Sequence, residues 1–264
     1  MKHQLFDMPV HIATGGRDFD KTKTTLVFIH GSGQSHLTWM LQSRYFAYRG
    51  HGVLAPDFPG HGLSGGTPLD SIEAMADWLI ALLDSLEVDK ACLVGHSQGC
   101  LVALDAAARH PDRVSHLGLI AGALAIPVND QLLSLSASAL AKAIGAMTSW
   151  GHGAMAHMHD NTQPGHSFLG YGRRLMAMNH ADALHSDLAA CNNYQGGKDA
   201  AGKITQPTLV VLAGADRMTP PKFGRVMADS LANSCCEILA SAGHMLPAER
   251  PAEVNAALAK FLPA

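Results

Sequence analysis

Six short apolar runs, separated by segments with helical periodicity, constrain this chain more than any other feature. They cover residues 24–31, 51–57, 91–95, 114–122, 207–216 and 235–243. Helix candidates fall between and beyond them, at 35–48, 71–86, 98–109, 220–231 and 251–262, the last opened by Pro251 at a favoured first helical position. A strand that is apolar along its whole length must be covered on both faces, and helices crossing between parallel strands provide that cover. The expectation is an α/β fold: a mostly parallel central sheet with helices on both faces. At 264 residues and 47% apolar, the chain can bury one sizeable core. Residues near 3–14 add a weaker signal for an antiparallel edge.

The alternation stops between about residues 123 and 204, a span too long for a loop between neighbouring elements. Leu133, Leu140, Ile144 and Met147 recur at helical spacing there, and the stretch RRLMAMNHADALHSDLAAC continues the pattern. The expected division is a core of residues 1–122 and 205–264 with a helical insertion, 123–204, above the strand ends. The methionines and histidines of the insertion suit either an adaptable apolar lining or the insertion's own packing.

Net charge is −3, and lysines and arginines are scattered, so nucleic acid is not an expected partner. The five cysteines (Cys92, Cys100, Cys191, Cys235, Cys236) show no CxxC spacing. Cys92 and Cys100 read as small buried hydrophobes, which favours a reducing compartment over a disulfide framework. No signal-peptide core follows Lys2, and no apolar run is long enough for a membrane span. On these missing signals the expected location is cytoplasmic, with no membrane partner.

The junction of the third apolar run with the following helix reads Gly95-His96-Ser97-Gln98-Gly99. A serine leaving a strand, turning sharply and entering a helix has a strained backbone. Its neighbours two before and two after crowd each other, so both must be small. Such a turn lifts the hydroxyl to the N-terminus of a helix, whose free N–H groups can hold an oxyanion. This is the nucleophile elbow, and Ser97 is the expected nucleophile.

A serine hydroxyl needs a base. Among sixteen histidines, His244 lies just past the sixth run and before the last helix, in SAGHMLP. An imidazole acting as base needs a carboxylate to hold its tautomer, and Asp216 follows the fifth run in LAGADRM. The fourth run offers no acid before Asp130, which strengthens Asp216. Asp57 precedes the nucleophile and opens a glycine-rich turn, so its expected role is bracing that turn. His96 points away from the elbow and reads as structural or pocket wall.

The oxyanion donors expected are the backbone N–H groups of Ser32, in His30-Gly31-Ser32-Gly33, and of Gln98. A dinucleotide loop in GSGQSH fails because the third small position falls on His36.

These motifs together resemble the α/β-hydrolase-fold serine hydrolases over nearly the whole chain. They run in the family's order: His30-Gly31-Ser32-Gly33, then Asp57-Phe58-Pro59-Gly60-His61-Gly62-Leu63-Ser64, then the Ser97 elbow, then Gly214-Ala215-Asp216 and Gly243-His244. The resemblance implies that residues 123–204 are the family's variable cap domain. A serine at 97 sets the chain apart from the branches that use an aspartate there.

The expected chemistry is acyl transfer to Ser97, with His244 as base, requiring no metal and no organic cofactor. The expected partner is a small-molecule substrate, a carboxylic ester or lactone of small to medium and fairly apolar character. Carbon–carbon cleavage of a diketone by the same residues is an alternative, as is a slow-turnover ligand receptor. His152, His157, His159 and Asp160 offer either a metal site or solvated loop histidines. His157 and His159, two apart, share no helix face, which favours the solvated reading.

Overall fold

Eight strands form one sheet, in a computed structural model that describes residues 1–158 and 167–263. The strands are β1 (Lys2–Leu5), β2 (Met8–Ala13), β3 (Thr25–Ile29), β4 (Gly52–Pro56), β5 (Ala91–His96), β6 (Val114–Ile120), β7 (Thr208–Ala213) and β8 (Ser234–Leu239). Their order across the sheet is β1-β2-β4-β3-β5-β6-β7-β8. The strands from β3 to β8 run parallel, with registers such as Phe28 against Val94 and Gly95 against Leu119. β1 and β2 form the antiparallel edge, β2 joining β4 at Ile12–Pro56 and Ala13–Ala55.

The core helices are α1 (Met40–Ala47), α2 (Ile72–Ser85), α3 (Gln98–Arg109), then α10 (Pro221–Asp229), α11 (Leu246–Glu249) and α12 (Pro251–Phe261). Between β6 and β7 lie α4 (Asp130–Ser138), α5 (Leu140–Gly151), α6 (Ala154–Met158), α7 (Phe168–Ala177), α8 (Ala183–Asn193) and α9 (Gly197–Lys203). No helix among the described residues is long and apolar enough to cross a membrane.

The apolar runs are explained by what each face touches. Val27 and Ile29 of β3 pack into one hydrophobic cluster with α2 and α3, while Leu26 and Phe28 pack into another with α1 and α12. Both halves of the strand's two-residue alternation are therefore buried, so the sequence shows no polar alternation. In α2, Ile72, Met75, Ala76, Leu79, Leu82 and Leu83 are fully buried, a stripe at helical spacing capped by the Ser71 hydroxyl on the Ala74 N–H. Each large side chain in such a stripe contributes roughly 1.5–3 kcal/mol on burial. β8 is the exception among the six runs. It is an edge strand paired on one side alone, and Cys235, Cys236 and Glu237 are exposed.

The run expected as one helix at 35–48 is a 3₁₀ turn, His36–Trp39, followed by α1. The Ser35 side chain caps the turn by accepting the Leu37 N–H. The helices between β6 and β7 hold a small cluster of their own: Leu132, Ala143, Ile144, Met147, Met176, Leu184 and Leu188.

Candidate active site

Ser97 sits between the end of β5 and the first residue of α3 with φ 55° and ψ −119°. That left-handed φ is costly for a residue with a Cβ and persists only where its surroundings enforce it. The surroundings are explicit. The Ser97 N–H donates to the Ile120 carbonyl of β6 at 3.0 Å, and its own carbonyl accepts the Cys100 N–H at 2.8 Å. A Cβ on Gly95 would lie 2.2 Å from the Gly99 carbonyl oxygen, and one on Gly99 would lie 2.4 Å from the Ile29 carbonyl oxygen. Both flanking glycines are therefore required by backbone contact and not by turn geometry alone.

His244 and Asp216 arrive on the loops after β8 and β7. The His244 Nδ1–H donates to Asp216 Oδ2 at 2.8 Å, with both side chains buried. The other carboxyl oxygen, Oδ1, accepts the Met218 and Thr219 N–H groups at 2.8 and 2.9 Å. Burial works to raise the Asp216 pKa, but the facing His244 and the two N–H groups outweigh it and hold the carboxyl below its ordinary value. Asp216 is thus an ionised acceptor for the His244 Nδ1–H.

His96, next to the elbow, donates Nε2–H to the His244 carbonyl at 2.9 Å and packs ring to ring with His244 at 4.9 Å. Burial, and then the neighbouring His244, push its pKa down to about 3, so it stays neutral. It supports the backbone of the His244 loop.

Ser97 and His244 line one small cavity, together with Ser32, Met147, Met176 and Met218. Across Ser97 a second space opens toward Ile126, Trp150 and Arg217. Beyond Gln34 and His152 an apolar space continues between Leu37, Phe168 and Leu175. Gln98 is the first residue of α3, so its N–H has no acceptor within the helix. Ser32 lies in the turn after β3, where a Cβ on Gly31 would be 3.1 Å from the Ser97 Cβ. Of the five residues expected from the sequence, Ser32, Ser97 and His244 line this cavity, while Gln98, next to Ser97, and Asp216, bonded to His244, are buried.

Asp57 braces its turn. Its carboxylate accepts the His36 N–H at 2.6 Å and the Leu63 N–H at 2.9 Å, and the His36 ring at 2.8 Å. With His11 and His36 it forms a group of potential metal ligands within 4.8 Å of one another, but these hydrogen bonds already occupy the carboxylate. Of the four residues weighed for a metal, His152 is buried with Nδ1 2.9 Å from the Thr148 carbonyl, and His157 is exposed and bonded to Ser149. His159 and Asp160 lie outside the described residues.

A sequence model of the alpha/beta hydrolase family matches residues 26–257. The chain belongs to the alpha/beta hydrolase family. Within it, the pimeloyl-[acyl-carrier protein] methyl ester esterase of Neisseria meningitidis serogroup C is 34% identical over 225 residues, covering 78% of this chain and 80% of that protein. Among solved structures, the enol-lactonase from Burkholderia xenovorans LB400 superposes with a TM-score of 0.87 at 22% identity, over 99% of both chains. A thermophilic esterase from Thermogutta terrifontis gives a TM-score of 0.84 at 21% identity, over 96% and 93% of the two chains. These structures share the alpha/beta hydrolase fold with the chain.

Three side chains around the site escaped the sequence reading. Asp187, on α8, is fully buried and accepts the Gly33 N–H at 2.7 Å and His61 Nε2–H at 3.0 Å on one oxygen. Asn179, after α7, donates to the Gly33 carbonyl at 2.7 Å and accepts the Gly62 N–H at 2.8 Å. Glu249, on α11, accepts both the Gly243 N–H beside His244 and the Gly153 N–H after α5, each at 3.1 Å. Asp187 did leave a trace. It falls on the apolar stripe Leu184, Leu188, Cys191, where a carboxylate needs a partner. Asn179 and Glu249 left none.

Proposed function

We propose that the protein is a serine hydrolase of carboxylic esters or lactones, with Ser97 as nucleophile, His244 as base and Asp216 as its orienting carboxylate. The observation that carries this reading is the shared cavity: Ser97 on a strained elbow and His244, fixed by Asp216, open into the same buried space. His244 Nε2 takes the hydroxyl proton as Ser97 Oγ attacks the carbonyl carbon. The Ser32 and Gln98 N–H groups hold the oxyanion, each worth about 3 kcal/mol of barrier. The alkoxide leaves with the proton from His244, and a water activated by the same nitrogen then releases the acid.

The helices between β6 and β7 act in this reading as a cap over the strand ends. Their methionines, Met147 and Met176, face both the cavity and their own small core. The apolar lining favours a small to medium, fairly apolar acyl or lactone substrate. The naming of family relatives as esterase and enol-lactonase is consistent with that class.

The test is a panel of p-nitrophenyl acyl esters and simple lactones of increasing chain length, run with wild type and Ser97→Ala. Turnover by wild type and a loss of roughly 10³-fold or more in the variant is the expected result. Activity surviving in Ser97→Ala would overturn the assignment. Labelling of wild type by a fluorophosphonate without turnover of any ester or lactone would move the substrate to another carbonyl class.

A further inference from the structure

The turn that carries Ser32 is held from the cap. Three successive peptide units pass through it, and each has a fixed partner. The Gly31 carbonyl, which shares a peptide unit with the Ser32 N–H, accepts the Gln34 N–H at 3.0 Å and lies 3.0 Å from His30 Nδ1. The next unit presents the Gly33 N–H to Asp187 Oδ2 at 2.7 Å. The third presents the Gly33 carbonyl to Asn179 Nδ2 at 2.7 Å. Gly33 itself has φ +65°, and a Cβ there would meet Leu184 of α8 at 2.8 Å. The second donor residue is tied to the same helix: the Gln98 side chain donates to the Asp187 main-chain carbonyl at 3.1 Å.

Asp187 is buried and would be costly to hold as a lone charge. His61 answers it. Its Nε2 faces the Asp187 carboxylate at 3.0 Å, and its Nδ1 faces the Pro59 carbonyl at 3.0 Å. Facing a carboxylate and a carbonyl, which only accept, both ring nitrogens are placed to donate, the arrangement that suits an imidazolium. Burial opposes that charge, but Asp187, the Pro59 carbonyl and more distant Asp57 outweigh it and raise the His61 pKa. The adjoining His30 differs. Its Nε2 accepts the Phe58 N–H at 3.2 Å, and burial followed by the His61 charge lowers its pKa to about 4.

We infer that Asp187 and Asn179 are positioning residues for the oxyanion donors: the cap grips the Gly33 peptide units and thereby sets the direction of the Ser32 N–H, with His61 as the buried counter-charge. The inference rests on the proposed role of Ser32 and Gln98. It makes the cap part of the catalytic geometry, besides a wall of the substrate pocket. A misdirected donor weakens the tetrahedral adduct far more than the ground-state ester, because the oxyanion exists only in the adduct.

The experiment compares wild type, Asp187→Asn, Asn179→Ala, Ser97→Ala and Asn193→Ala, the last exposed on the same helix. The substrate is the p-nitrophenyl ester that wild type turns over fastest. The probe is the trifluoromethyl ketone with the same acyl chain, which forms an oxyanion adduct with a nucleophilic serine. Asp187→Asn and Asn179→Ala are expected to lower kcat about 10- to 100-fold and weaken the ketone by a similar factor, with KM within about twofold. Asn193→Ala is expected to match wild type. Should Asp187→Asn fail to fold, Asn179→Ala, half-buried and losing only two donated and one accepted hydrogen bond, decides the matter. A rise in KM at unchanged kcat, or unchanged ketone affinity, would overturn the inference while Ser97 dependence stands. If wild type hydrolyses neither ester nor lactone, or Ser97→Ala retains activity, the functional reading falls and this inference falls with it.

Discussion

The Cβ that Gly95 lacks would lie 2.2 Å from the carbonyl oxygen of Gly99. Neither atom can retreat, since one belongs to β5 and the other to the first turn of α3. Gly95→Ala and Gly99→Ala are each expected to cost at least about 3 kcal/mol of unfolding free energy. Denaturant titration checks it. Gly145→Ala, where an added methyl meets nothing within 4 Å inside α5, is expected to stabilise by about 0.5–1 kcal/mol. The same chemical change should thus have opposite signs at these two positions.

Asp216→Asn preserves shape but removes the charge that selects the His244 tautomer. Its kcat is expected to fall about 10⁴-fold with little change in stability beyond about 1 kcal/mol. Pre-steady-state kinetics with an activated ester reads the loss in the acylation step. An effect below tenfold would mean that another group orients His244.

The His61–Asp187 pair makes stability depend on pH in a defined direction. The folded His61 pKa is raised above its ordinary 6.5. Its contribution is therefore complete below the unfolded value and is lost as pH rises through the folded value. Chemical denaturation from about pH 6 to about pH 9 should show this alkaline decline, and His61→Gln should flatten it. Asp216 and Asp57 act at the other end. Their folded values are depressed below 3.8, so the stability they add is present above that value and lost as pH falls through the folded values. His61→Gln should leave the acid limb in place.

Thr148, on α5, has a buried hydroxyl oxygen with no hydrogen-bond partner among the described residues, and it lines the cavity that holds Ser97. Thr148→Val replaces it with a methyl of similar size. The expected result is a gain of about 1 kcal/mol in the unbound protein. Differential scanning calorimetry checks it; a loss of stability would show that the hydroxyl is satisfied in solution.

Much of the fold was legible because its signals are local. The buried runs encode β3 to β7 through residues such as Leu26 to Ile29, which alternate between two cores. β8 was legible as a strand but not as an exposed edge, since Cys235 and Cys236 read as apolar whichever side faces water. The corner at Ser97 was legible because both glycines that permit it are two residues away. Asp216 and His244 follow strands and could be placed by chain order. Asp187 could not. Its contacts with Gly33 and His61 span 154 and 126 residues, and no local pattern records a meeting between distant segments. The gap is physical: helix and strand periods report which face is buried, and say nothing of which polar group is waiting there.

Glu249 carries a mechanical consequence. Its one carboxylate bonds Gly243, beside His244, and Gly153, at the end of α5. The Met245 N–H adds a bond to the Gly151 carbonyl at 3.0 Å. The His244 loop and the end of α5 are therefore riveted at that corner, as a door is at its jamb. A swing of α5 there would drag the imidazole off its aspartate.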